Sequence, residues 1–159
     1  PVGDATRSNL LINGNMDSGG TWTLGAGWSI TGGKAQHVAG SASGITQPLA
    51  AIAGSYYRVA YDLTLTGGAI IPQLSGGSAR TGTVRTSGGS FVDRIQAAAG
   101  NATFEIFGSD GFVGTLDNVV AYLETATCLS QGTHYIWLEP QNDDGVPGLT
   151  AGPFTVSIK

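Results

Sequence analysis

Tyr56-Tyr57-Arg58-Val59-Ala60-Tyr61-Asp62-Leu63-Thr64-Leu65-Thr66 is the stretch that decides the fold. Tyr57, Val59, Tyr61, Leu63 and Leu65 fall on one face of an extended chain, against Arg58, Ala60, Asp62 and Thr64 on the other. Side chains of a strand alternate with a period of two, so this pattern predicts one face on a core and one in solvent. Downstream, Ala69–Leu74, Thr81–Thr86 and Ser90–Ala97 also read as strands, set off by Gly67-Gly68, Gly76-Gly77 and Gly88-Gly89. Doubled glycines reach the positive φ angles of tight hairpins without a Cβ clash. Asn101–Phe107 and Gly114–Leu123 complete this half. Upstream, residues 9–13, Trp22-Thr23-Leu24, Gly27–Ile30, Lys34–Val38 and Gly44–Leu49 are short strand patterns, the last ending near Pro48, which has no N–H to donate. No helical stripe of useful length occurs, and Ala97-Ala98-Ala99 runs into Gly100 as a strand end. About eight to ten strands between residues 9 and 124 predict an all-β protein of two face-to-face antiparallel sheets.

Composition agrees. Of 159 residues, 41% are hydrophobic and only 11% charged, where about a quarter is usual. Twenty-six glycines, with abundant Thr, Ser and Val, suit short strands and tight turns. A surface so poor in Lys, Glu and Arg suits a protein covered by neighbours better than a solitary monomer. The net charge is −4, and the seven basic residues are scattered singly, which argues against a nucleic-acid partner. No apolar run has the length of a membrane span, so no membrane partner is expected. Pro1-Val2-Gly3-Asp4-Ala5-Thr6 is polar with no apolar region after it. The expectation is a start exposed by removal of an initiator Met, rather than a signal peptide. The single cysteine, Cys128, cannot form an internal disulfide, which fits synthesis in a reducing host cytoplasm.

Two matching end-pieces bracket the strand region. Asn9-Leu10-Leu11-Ile12-Asn13-Gly14-Asn15-Met16-Asp17 opens it and Gly114-Thr115-Leu116-Asp117-Asn118-Val119-Val120-Ala121-Tyr122 closes it. The "N-L-L-x-N-G-x-hydrophobic-[DE]" opening and the "L-D-N-V" closing strand resemble the galactose-binding-like jelly rolls. These occur as carbohydrate-binding modules beside glycanases and in bacteriophage head and tail surface proteins. "G-W-S-I-T-G-G-K-A" before "I-T-Q-P-L" is similar to a further element of the same jelly rolls. The resemblance covers about three quarters of the chain. It implies a jelly-roll sandwich over 9–124 that binds or builds rather than catalyses. It also implies a structural Ca²⁺ where the first strand meets the last, with Asp17 and Asp117 as carboxylate ligands and Asn15 beside them. Ca²⁺ takes six to eight oxygens, so carbonyls would complete the set. The competing reading makes Asn15 and Asp17 Asx-turn residues and Asp117 a loop cap.

Outside the bracket, residues 1–8 read as an extended arm able to reach roughly 25 Å. Residues 125–159 differ from the rest. Thr133–Glu139 and Pro153–Lys159 alternate, separated by a turn-rich loop that includes Asp143-Asp144-Gly145. They resemble the final hairpin of a fibronectin-type domain lacking its preceding strands. A two-stranded hairpin is marginal in water, so it needs a partner, and Tyr135, Trp137 and Phe154 are its candidate assembly contacts.

No motif carries catalysis. His37 and His134 have no nucleophile or metal-ligand spacing around them, and Asp62, Asp93, Glu105 and Asp110 form no evident carboxylate pair. The expectation is therefore not an enzyme. Glycan binding needs aromatic platforms beside polar groups. Phe112, in a glycine-flanked loop where an aromatic reads as exposed, is the first candidate; Phe91 with Arg94, and Trp22, follow. Trp28, Tyr57 and Tyr61 read as core. The expectation that joins these features is a virion structural protein, a head-decoration, fibre or tail-surface component. Its partners would be other virion proteins, sister subunits and cell-surface polysaccharide, and its location the virion surface. The alternative is a secreted carbohydrate-binding module associated with a glycoside hydrolase.

Overall fold

A computed structural model of the chain describes residues 8–18, 20–124, 132–138 and 149–158. The chain divides into two compact units, Pro1–Glu124 and Thr125–Lys159. The N-terminal arm lies almost wholly outside the described residues, as do Cys128 and the Asp143-Asp144-Gly145 loop.

Unit 1 is an all-β, two-sheet antiparallel sandwich. Its strands are β1 (Thr23–Leu24), β2 (Trp28–Thr31), β3 (Lys34–His37), β4 (Ser43–Pro48), β5 (Tyr56–Gly67), β6 (Ile70–Ser75), β7 (Arg80–Thr81), β8 (Gly89–Gln96), β9 (Thr103–Gly108) and β10 (Val113–Leu123). One five-stranded sheet runs β1-β4-β9-β6-β7 and the other β2-β3-β10-β5-β8. From β3 onward the chain crosses repeatedly from one sheet to the other, the jelly-roll habit of winding two sheets together.

The alternation of β5 sets the core. Tyr57, Val59, Tyr61 and Leu63 are buried between the sheets and meet Ile70, Leu74, Phe104 and Ile106 from the opposite sheet. Burying each such side chain contributes about 1.5–3 kcal/mol. The two tyrosine hydroxyls are satisfied: Ile52 N–H donates to Tyr57 Oη (2.9 Å), and Tyr61 Oη donates to the Asp93 carboxylate (3.0 Å).

Two strand expectations change. Residues 9–13 form no strand. The chain instead bonds to β10 at single points: Leu10 N–H donates to Ala121 O (2.7 Å), and Ala121 N–H donates to the Asn9 side chain (3.0 Å). Of the expected strand Thr81–Thr86 only Thr81 is strand, as the end of β7, with one further bridge between Ile70 and Arg85. The chain leaves the ladder there because a buried carboxylate draws it away. Thr83 N–H and Arg85 Nη2 both donate to Asp93 Oδ1, at 2.9 and 3.0 Å. Arg85 also lies over the Phe91 ring (4.3 Å). Asp93 sits on β8, at the edge of one sheet, and the segment after β7 follows the edge of the other, so this network closes one side of the sandwich.

Unit 2, as described, is a two-stranded sheet of β11 (Gly132–Leu138) and β12 (Ala151–Ile158). Tyr135 pairs with Thr155 and Ile136 with Phe154, which places Tyr135 and Phe154 on opposite faces of the hairpin.

Candidate functional site

The opening motif reaches the closing strand through a backbone seam. Asn9 Oδ1 accepts from Leu11 N–H (3.1 Å) as well as from Ala121, so one side chain stands in for a strand partner. Val119 N–H donates to Gly14 O (2.8 Å). A Cβ on Gly14 would fall inside the radius of the Val119 carbonyl oxygen, so only glycine fits. Opposite this point β10 bulges: Asp117 pairs with Asp62 and Val120 with Ala60, leaving Asn118 and Val119 to face Tyr61 together. Asn118 takes φ 50°, which Asn tolerates better than most residues.

The bulge brings polar side chains to the outer face of the sheet. Asp62 and Asp117 are directly opposite, a destabilising arrangement unless each finds a partner. Lys34 Nζ pairs with Asp117 Oδ2 at 2.9 Å, and Asn118 N–H donates to Asp117 Oδ1 at 2.7 Å. Ser90 Oγ and Asn118 Nδ2 donate to the two oxygens of Asp62, at 2.5 and 2.7 Å. Those two hydrogen bonds, Ser90 first, hold the Asp62 carboxyl below its ordinary range. A general acid needs the opposite shift. Lys34, Asp62, Ser90 and Asp117, with Thr64 and Thr115, line a groove of about 290 Å³. A second groove of about 350 Å³ is lined by Asn9, Asn13, Asn15 and Asn118, with Gly14, Val119 and Val120. Asn118 of this groove bonds to Asp62 and Asp117 of the first. The two grooves present amides, hydroxyls and paired charges, chemistry that suits polar, hydroxyl-bearing ligands.

The expected calcium ligands fall along this seam. The Asn15 amide donates to Asp17 Oδ2, and Asp117 is turned to the Lys34 ammonium. Among the described residues no group of three or more His, Cys, Asp or Glu converges on a metal position.

The expected glycan residues are not brought together. Phe112 is a correction: it is fully buried rather than exposed, stacked on His37 with ring centres 5.2 Å apart. Its carbonyl can only accept, so His37 Nδ1 carries the hydrogen between them (2.7 Å). Trp22 is also buried, edge-on to Phe104, with Nε1–H donating to Asn13 O (3.0 Å). Phe91 is covered by Arg85, while Arg94 points to the other face of β8, over Tyr56 (3.4 Å) and paired with Glu124 (2.5 Å). Of the expected assembly contacts, Tyr135 and Phe154 are exposed, and the Trp137 side chain lies outside the described residues, as does that of His134.

Of Lys34, Asp62, Ser90 and Asn118, the sequence marks only Asp62, as an outward position of the β5 alternation and a carboxylate without an evident partner. Nothing in the sequence ties Lys34 or Ser90 to it, or marks the bulge that carries Asn118 to it.

Compared with known proteins, the chain matches no protein-family model, and no curated protein matches it.

Proposed function

We propose that this chain is a non-enzymatic structural protein of a bacteriophage-like particle, a head-decoration, fibre or tail-surface component. In this reading the sandwich is the displayed module, and the hairpin of unit 2 attaches it to sister subunits or other virion proteins. The observation that carries the proposal is the hairpin. A two-stranded sheet forming a unit of its own, with Tyr135 and Phe154 exposed on opposite faces, is marginal in water until something covers it. The sparsely charged composition and the resemblance of the end-piece motifs to phage surface jelly rolls support the same reading. Adhesion to host glycans fits beside it, because the sandwich presents hydroxyl-matching grooves.

The two polar grooves support a second reading, a secreted carbohydrate-binding module. Solution mass by light scattering separates the two. The particle reading predicts stable oligomers, such as trimers, for the full chain. A well-behaved monomer that retards on polysaccharide would favour the module.

A further inference from the structure

We propose that the outer face of the β1-β4-β9-β6-β7 sheet is a binding platform for an uncharged polysaccharide, with Phe107, Glu105 and Gln73 at its centre. This deepens the glycan-adhesion part of the proposed function and rests on it; the assembly role of the hairpin is independent.

Register places the groups. Ile45, Phe104, Ile106, Ile70 and Leu74 point inward and are buried, so their sequence neighbours point out. Thr23 pairs with Thr46, Thr46 with Glu105, Glu105 with Gln73, and Gln73 with Thr81. One continuous row of hydroxyl, carboxylate and amide groups therefore crosses all five strands. Four inter-strand gaps make it roughly 19 Å long. The next row outward is Gly44, Phe107 and Ile71. Phe107 and Ile71 line a shallow apolar cleft of about 90 Å³, together with Val84, which is 56% exposed.

The centre of the platform is held in place. Gln73 Nε2 donates to Glu105 Oε2 at 2.7 Å. The Glu105 side chain leans across Gly44, in space that a Cβ there would occupy. Glycine at position 44 is what lets the carboxylate lie flat beside the aromatic ring. After their mutual bond, Glu105 retains acceptor capacity, and the Gln73 amide retains a carbonyl oxygen and a second N–H. A sugar hydroxyl is donor and acceptor at once and matches that pair. The C–H face of the ring matches Phe107 and Ile71.

Charge selects the class. The row holds one carboxylate and no cation, so phosphates, sulfates and uronates are repelled, and uncharged chains are favoured. The length of the row suits several consecutive sugars rather than one.

The test is affinity electrophoresis of the full chain in native gels containing xylan, mixed-linkage β-glucan, galactomannan or heparin. We expect retardation in at least one neutral polysaccharide and none in heparin. Phe107→Ala and Gln73→Ala should each weaken retardation about tenfold, equivalent to ~1.4 kcal/mol. Val92→Thr, on the outer face of the other sheet, should leave it unchanged. Near-UV circular dichroism verifies that each variant is folded, and Gln73→Ala, which removes no packed ring, keeps the test valid if Phe107→Ala is unstable. No retardation in any neutral gel would overturn both the adhesion reading and this platform. Retardation that survives in both variants would overturn the platform alone and move binding elsewhere on the molecule. Stronger retardation in heparin would overturn the choice of ligand class.

Discussion

Gly14 and Asn9 carry the seam with almost no side-chain bulk. Asn9 lends its amide oxygen to two backbone N–H groups, and Gly14 lets its backbone approach Val119 closer than any Cβ allows. Gly14→Ala must displace either the opening segment or the β10 bulge. We expect a loss of roughly 3 kcal/mol, in the upper range for single substitutions. Urea denaturation is the check, and a change under ~0.5 kcal/mol would mean that the seam is dispensable. The same residue explains what could be read beforehand. The Asn-Gly pair of the opening motif makes a close backbone approach to β10 rather than a strand. Phe112 shows the reverse failure. Its glycine neighbours suggested an exposed loop tip, whereas the ring folds inward onto His37 and Trp28, a contact set by strands distant in sequence.

At the scale of the elements, the closure between β8 and the segment after β7 depends on one buried carboxylate. Burial works to raise the Asp93 carboxyl, but hydrogen bonds from Thr83, Arg85 and Tyr61 outweigh it, and the net shift is downward. Burial is also the main reason that the Tyr61 phenol lies above its ordinary range. A carboxyl with a lowered folded value contributes stability that is complete above its unfolded value, about pH 3.9. That stability is lost as pH falls through the lowered value. Asp93→Asn, which leaves Arg85 facing a neutral partner, should cost about 3 kcal/mol at pH 7. The variant should lose less additional stability than the parent between pH 5 and about pH 2. Parallel acid limbs in the two proteins would show that Asp93 does not drive the loss.

This element also marks the limit of what alternation can reveal. The β5 pattern matches the burial from Tyr57 to Leu63, with Leu65 only partly buried, because a half-buried strand writes its environment into a period of two. Thr81–Thr86 looked equally strand-like but is pulled out of the ladder by a carboxylate ten residues away. The outward row on β9 was legible in principle: Phe104 and Ile106 alternate with Thr103, Glu105 and Phe107. Its meaning needed the cross-strand register that sets Gln73 and Thr46 beside Glu105.

On the scale of the whole molecule, the chain divides into a two-sheet sandwich and a second unit that, among the described residues, is a two-stranded hairpin. The sandwich has a continuous core shared by both sheets, closed by the Asp93 network and the Gly14 seam. The sequence made this contrast visible, since the strand patterns before residue 124 are many and those after it are two. It left the outward-facing surfaces of the sandwich unread, because no period distinguishes a solvated face from a binding face.

The most direct measurement of the central claim is sedimentation velocity on the full chain and on a variant ending at Glu124, run side by side. The full chain should sediment as an oligomer, while the shortened chain should be a folded monomer with the near-UV signature of the buried tryptophans. An oligomer that persists without residues 125–159 would contradict the claim, as would a full chain that is itself a monomer.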